Sequence, residues 1–340
     1  MGRRQRNVPR VKPPPRVAAA PPLLPTQSDA ASLRRWRQYW LQEPLTGMGE
    51  FAVYYLFRCL PVGLCSSIGA LRGRYLGRAR KEAEARARHA LALVAPELRP
   101  DQVDQLLARL HRNAGRALLE TLVMDRIWEG RRVDVVPAER RLQLETHPIS
   151  RIFVSVHTGN LGDLLGMCLM RIARSSSGMT ISRRLPNRFR QRLSEKLRGK
   201  HGAEILEPGL KATRQLIAHL RKPGGSILIH LDEARSRQIY FPTFGRPLPY
   251  GSNLSLAIRL SAATGAPLVP VYLQRRNGAR FQLHVLDDLE IPVVGHDEQH
   301  IALAHQLDAL FSKIIQQQLE DWQQLYFLRP ERQCHPSLSS

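Results

Sequence analysis

Cysteine is scarce in this 340-residue chain. The four present, Cys59, Cys65, Cys168 and Cys334, show no CxxC pairing and no accompanying His-x3-His group, so the sequence pattern offers no zinc site or other metal centre. Reduced thiols, two or three of them in the core, fit a reducing compartment. An apolar leader is missing as well. Met1-Gly2-Arg3-Arg4-Gln5-Arg6 runs into Pro13-Pro14-Pro15 and Pro21-Pro22, which is basic and proline-rich. Such a stretch is not a secretory signal; Arg3-Arg4 has no apolar segment behind it for twin-arginine export, and Arg6 stands where a myristoylation signal carries Ser or Thr. Residues 1–40 are expected to be a disordered basic tail that stays in the cytoplasm.

Acidic residues are also in short supply, 29 against 51 Lys and Arg, for a formal charge of +22. That excess favours polyanionic partners: nucleic acid, anionic lipid headgroups or an acidic protein. No nucleic-acid motif appears and the arginines are dispersed over many elements, so nucleic acid is not expected as the partner. What the chain does have is 43% apolar residues, enough for one large domain with a buried core.

An uninterrupted hydrophobic span is the third absence. Residues 51–71 form the densest apolar run, close to the roughly 20 residues a bilayer requires, but Arg58, Pro61, Gly63 and Gly69 interrupt it. A charge at mid-bilayer costs roughly 2.5–3.5 kcal/mol. Both flanks are basic, with Arg34, Arg35 and Arg37 before and Arg72, Arg74, Arg78, Arg80 and Lys81 after, whereas a spanning helix concentrates positive charge on one side. Residues 41–77 therefore read as a kinked helical segment lying in the cytoplasmic leaflet.

Beyond it, residues 78–332 read as one domain, with 333–340 as a tail. Helical spacing covers residues 81–93, a run from Asp101 through Val103, Leu106, Leu107 and Leu110, and a further run at Leu118, Leu119 and Leu122. Short β-rich runs then alternate with helical stretches, at residues 152–156, 179–181, 205–206, 227–229, 268–272 and 281–285. The expectation is an α/β fold with a mixed central sheet flanked by helices.

The chemistry-bearing stretch is Phe153-Val154-Ser155-Val156-His157-Thr158-Gly159-Asn160-Leu161-Gly162-Asp163, a buried strand entering a glycine turn and then a helix. It sets His157 at the carboxyl end of a strand, where open α/β sheets collect ligands. An imidazole there can take a proton from a hydroxyl if a carboxylate fixes its tautomer.

His-x-Gly-Asn after an apolar strand resembles the hallmark of the lipid A biosynthesis lauroyl/myristoyl acyltransferases, within the lysophospholipid acyltransferase superfamily. The likeness continues through Arg183-Arg184-Leu185-Pro186-Asn187, Gly224-Gly225-Ser226-Ile227-Leu228-Ile229-His230-Leu231-Asp232, Phe241-Pro242-Thr243-Phe244-Gly245-Arg246-Pro247 and Ala263-Thr264-Gly265-Ala266-Pro267-Leu268-Val269-Pro270. It implies transfer of an acyl chain from an acyl carrier protein thioester to a hydroxyl of a lipid A precursor, at the cytoplasmic face of the inner membrane, without a cofactor. His157 and Asp163 are then the catalytic residues, with Asn160, Arg183, Asp232 and Arg246 at the substrate; Arg183 and Arg246 are the phosphate candidates.

One departure stands out. The family carries Glu or Asp five positions after its His, and here that position is Gly162, with Asp163 one residue later. On a helix one residue turns a side chain by about 100°. Three readings stay open: Asp163 reaches the imidazole through a bulge that Gly162 permits, Asp232 or Glu233 replaces it, or the usual acyl chemistry is altered, as in aminoacyl transfer from a carrier protein, or absent, as in a non-enzymatic basic lipid- or nucleic-acid-binding protein.

Overall fold

The computed structural model describes residues 20–24, 29–147, 149–173, 178–182, 184–199, 203–235, 238–249, 251–289 and 297–329. Its helices are α1 (Ala30–Arg37), α2 (Glu43–Cys59), α3 (Val62–Arg78), α4 (Lys81–Val94), α5 (Pro100–Glu120), α6 (Met124–Glu129), α7 (Ala138–Thr146), α8 (Asp163–Ile172), α9 (Arg188–Gly199), α10 (Leu210–Leu220), α11 (Asn253–Thr264) and α12 (Asp297–Gln316). The strands are β1 (Val133–Val136), β2 (Arg151–Ser155), β3 (Gly178–Ile181), β4 (Ala203–Leu206), β5 (Ser226–His230), β6 (Ala234–Arg235), β7 (Gln238–Ile239), β8 (Leu268–Asn277) and β9 (Arg280–Val285).

Seven strands form one sheet in the order β1-β9-β8-β2-β5-β3-β4. Every pairing in it is parallel except the β8–β9 hairpin, so the mixed α/β sheet read from the alternating pattern is present. Helices cover both faces. Ile152, Val154, Ile227, Ile229 and Leu268 look toward a core shared with α4, α5, α10, α11 and α12. Phe153, Val269, Val271, Phe281 and Leu283 look the other way, onto α2, α6, α8 and α9. All five residues of β2 are buried, as expected of a central parallel strand.

The apolar run at 51–71 is broken where its proline predicts. Leu60 is extended, Pro61 precedes α3, and Arg126 donates to the carbonyls of Arg58 (2.9 Å) and Leu60 (2.7 Å), which the helix end leaves open. Arg58, costly in a bilayer, is satisfied here by both oxygens of Asp125, at 2.7 and 2.8 Å. Among the described residues no helix is long and apolar enough to cross a membrane.

Glycine in α3, which interrupts the apolar run in sequence, has a packing role in the fold. A Cβ on Gly73 would lie 2.1 Å from the His111 carbonyl oxygen, and one on Gly69 2.6 Å from that of Gly115. The backbones of α3 and α5 touch along this stripe. Leu118 and Leu119, read as the start of a separate helix, continue α5 instead, because no proline stands between them and Leu110 and Gly115 is held against the α3 backbone. The strand β1, a four-residue edge too short to show alternation, went unread.

Candidate active site

Two adjacent parallel strands build the site. Ser155 at the end of β2 stands in register with His230 at the end of β5, so the turns that follow them meet. From the first comes His157 and from the second Asp232. The side chain of Asp232 is wholly buried and its Oδ1 lies 2.7 Å from His157 Nδ1. Its Oδ2 accepts the His157 backbone N–H at 2.9 Å and the Trp322 indole N–H at 3.0 Å. Three donors thus hold one carboxylate, and the carboxylate holds one imidazole. Nδ1–H facing Asp232 leaves Nε2 free to take a proton.

Burial alone would disfavour a charged His157, but the Asp232 carboxylate and its hydrogen bond outweigh that and raise the imidazole above its ordinary value. Burial likewise opposes the Asp232 charge, and His157 overcomes it, leaving the carboxyl below its ordinary value. The two groups are a coupled, buried pair in which each favours the charge of the other.

Of the carboxylates left open by the sequence, Asp232 is the one bonded to the ring. Asp163 opens α8 and accepts from Arg198 Nε at 2.8 Å, and Arg198 also reaches Ser182 Oγ at 3.3 Å. The extra residue has rotated it away from the imidazole nitrogen, although its charge still favours protonated His157. Asp232, read as a substrate contact, is sealed from solvent and cannot be one. Glu233 instead caps α11, accepting the Asn253 N–H at 2.9 Å.

The other predicted residues fall as follows. Asn160 is buried; its amide donates to Glu120 Oε2 at 3.3 Å and its oxygen accepts the Leu161 N–H at 2.8 Å, so it faces the interior and not a ligand. Arg246 donates to the carbonyls of Thr243 (2.8 Å) and Pro242 (3.1 Å) and lines neither cavity at His157. Arg183 lies outside the described residues. Of its neighbours, Arg184 pairs with Glu207 at 2.5 Å and Arg188 lies 3.6 Å from the centre of the Tyr39 ring.

Sequence reasoning passed over a buried ion network beneath the turn. Arg275 bonds both oxygens of Glu120, at 2.7 and 2.8 Å, and the Gly159 carbonyl at 2.7 Å. Ser66 adds a bond to Glu120 at 2.7 Å, and Asp321, which burial lifts to about 7, sits 3.5 Å from Arg275. The network clamps the backbone just after His157. One signal pointed to it: Glu120 falls on the apolar stripe of α5, in phase with Leu106, Leu110 and Ala117, where a solvated charge does not belong.

Two cavities meet at His157 and Leu161. One, about 170 Å³, runs between α8 and the sheet and is walled by Phe153, Met167, Met170, Met179, Ile227 and Leu228. The other, about 690 Å³, lies between α3, α5 and the chain's last turns, with Arg72, Arg80 and Arg86 on its wall beside Gln324 and Tyr326. Both are largely apolar, and the second adds three arginines to its wall. For a metal, His157, His230 and Asp232 each offer one ligand atom within 4.8 Å of the others. An ion there would displace the His157–Asp232 hydrogen bond.

Such a fold and site define an α/β protein with a hydrogen-bonded His–Asp pair at the carboxyl ends of parallel strands. The chain matches the bacterial lipid A biosynthesis acyltransferase family over residues 35–328, and belongs to it. It is an acyltransferase by family. No curated protein sequence matches it. Among solved structures it is similar to the 1-acyl-sn-glycerophosphate (LPA) acyltransferase PlsC from Thermotoga maritima, at 12% identity and a TM-score of 0.36, covering 73% of this chain and 98% of that one.

Proposed function

We propose that this protein moves a fatty acyl group from a carrier-protein thioester to a hydroxyl of a lipid A-type glycolipid at the cytoplasmic face of the inner membrane. The observation that carries this is the position of His157 at the junction of the apolar cavity and the arginine-walled groove. An acyl chain suits the first and a phosphorylated headgroup the second. The apolar wall favours a fatty acid over an amino acid as the transferred group.

In the proposed step, His157 Nε2 takes the proton of the acceptor hydroxyl while Asp232 steadies the imidazolium that forms. The oxygen attacks the thioester carbonyl, the C–S bond breaks from the tetrahedral intermediate, and His157 returns its proton to the departing thiolate. The first backbone N–H groups of α8 are available to the developing oxyanion. The acidic carrier and the anionic lipid are both drawn to the +22 chain. Exposed Leu45, Met48, Tyr55, Leu56, Leu64 and Leu71 on α2 and α3, flanked by arginines, suit a segment resting in the membrane surface.

Mass spectrometry of envelope lipids from cells with and without the gene tests the reading. An added fatty acyl mass that depends on the gene is the expected result. An added amino acid mass points to aminoacyl transfer, and an unchanged lipid profile overturns acyl transfer altogether.

A further inference from the structure

The place where relatives are expected to carry a carboxylate, five positions after the catalytic His, is filled in space by a second imidazole. Gly162 has φ +91°, and a Cβ on it would lie 2.7 Å from His230 Nε2, 3.0 Å from its Cε1 and 3.2 Å from His157 Cδ2. No side chain fits at 162 while His230 occupies that space. The missing carboxylate and the extra histidine are thus one change, seen from the turn after β2 and from the end of β5. Asp232 takes over the orienting bond, and His230 stands where the acid would have been.

The ring of His230 stacks on that of His157, with centroids 4.1 Å apart and planes at 26°. Both rings line the apolar cavity, so a carbonyl brought within reach of His157 lies beside His230 as well. Burial first, and the His157 charge second, depress His230 to about 3, so it stays neutral while its neighbour cycles through the imidazolium. Its Nδ1 is buried without a hydrogen-bond partner. Placing the proton on Nε2, beside Gly162, spares the protein an unmet buried donor and leaves that N–H for a ligand. Two stacked cations would repel, whereas a neutral donor beside a protonated base does not.

We propose that His230 is a second catalytic imidazole, whose Nε2–H donates a hydrogen bond to the acyl carbonyl oxygen as negative charge develops on it. This rests on the acyl-transfer reading above. The bond made in the step is still acceptor oxygen to carbonyl carbon and the bond broken is C–S. His157 alone moves a proton; His230 keeps its own and strengthens its hydrogen bond at the tetrahedral stage.

The test uses the full chain with an acyl carrier protein thioester and a phosphorylated glycolipid acceptor, comparing His230→Leu, His230→Gln and His230→Asn with wild type. A Gln amide reaches the Nε2 position and an Asn amide does not. His230→Leu and His230→Asn are expected to lose about 10²–10³ in kcat, the usual loss for one oxyanion donor, with KM little changed, whereas His230→Gln stays within about tenfold of wild type. Should the Leu variant fail to fold, the Asn and Gln pair decides the matter. Wild-type kcat in His230→Asn, or equal losses in Asn and Gln, overturns the donor role while acyl transfer stands. A wild-type enzyme that transfers no acyl group, from any thioester tried, overturns both.

Discussion

A single buried carboxylate decides what His157 can do. Asp232 raises the imidazole above its ordinary value, so kcat/KM is expected to climb with pH through an inflection above about 6.5, where the base loses its proton. Asp232→Asn removes the charge that stabilises the imidazolium. The inflection then moves to lower pH while the maximal rate falls by about 10²–10⁴, and a pH–rate profile of the two enzymes measures both effects. His157→Ala is expected to abolish transfer with the fold intact, checked by circular dichroism; wild-type turnover by that variant overturns the base assignment. Glu233 gives a prediction of stability. Burial lifts its carboxyl to about 7 from 4.5, so the folded chain binds that proton more tightly than the unfolded chain. Its contribution is complete below the ordinary value and is lost as pH rises through about 7. Wild type is expected to lose roughly 3 kcal/mol relative to Glu233→Gln between about pH 4 and pH 8, read by denaturant unfolding at the two pH values.

At the scale of elements, the contact between α3 and α5 supports one wall of the basic groove. Its closeness depends on glycine: a Cβ on Gly115 would sit 2.1 Å from the Gly69 carbonyl oxygen. Backbone cannot yield as the tip of a flexible side chain does. Gly73→Ala is therefore expected to force the helices apart, costing about 1–3 kcal/mol in thermal or denaturant unfolding, and to weaken acceptor binding through the displaced Arg72 and Arg80. Gly63→Ala, with nothing within 4 Å of the new carbon, is the contrasting case and is expected to be neutral or mildly stabilising. Helix pairs of this kind are hidden from hydropathy. Counting glycines in an apolar run cannot tell a loose helix from one that another backbone presses against.

Over the whole molecule, charge and grease are arranged toward one task. The exposed faces of α2 and α3 carry apolar residues at helical spacing, Leu45, Met48 and Tyr55 on the first and Leu64, Leu71 and Tyr75 on the second. Replacing Leu45 and Tyr55 together with Glu removes apolar area worth about 1.5–3 kcal/mol per side chain and adds charges that an anionic surface repels. Sedimentation with anionic vesicles is expected to show at least tenfold weaker binding for that variant, with unfolding unchanged. Raised salt is expected to weaken the wild-type protein's binding too.

Local pattern was enough for the strand that enters His-Thr-Gly-Asn, the helix after it, the break at Pro61 and the place of His157 at a strand end, because each depends on residues within one turn or strand of one another. Asp232 was within view only as one of several carboxylates. What singles it out is the pairing of β2 with β5, which brings together residues 75 positions apart in the chain. The Glu120–Arg275 clamp spans 155 positions and announces itself only by a charge on an apolar stripe. His230 had no local signal at all, since its meaning lies in its contact with Gly162, in the turn that joins β2 to α8. Short-range geometry determined which elements form and where His157 sits. Which carboxylate bonds that imidazole, and what stands beside it, was decided by strand order, because hydrogen bonds and excluded volume act between neighbours in space.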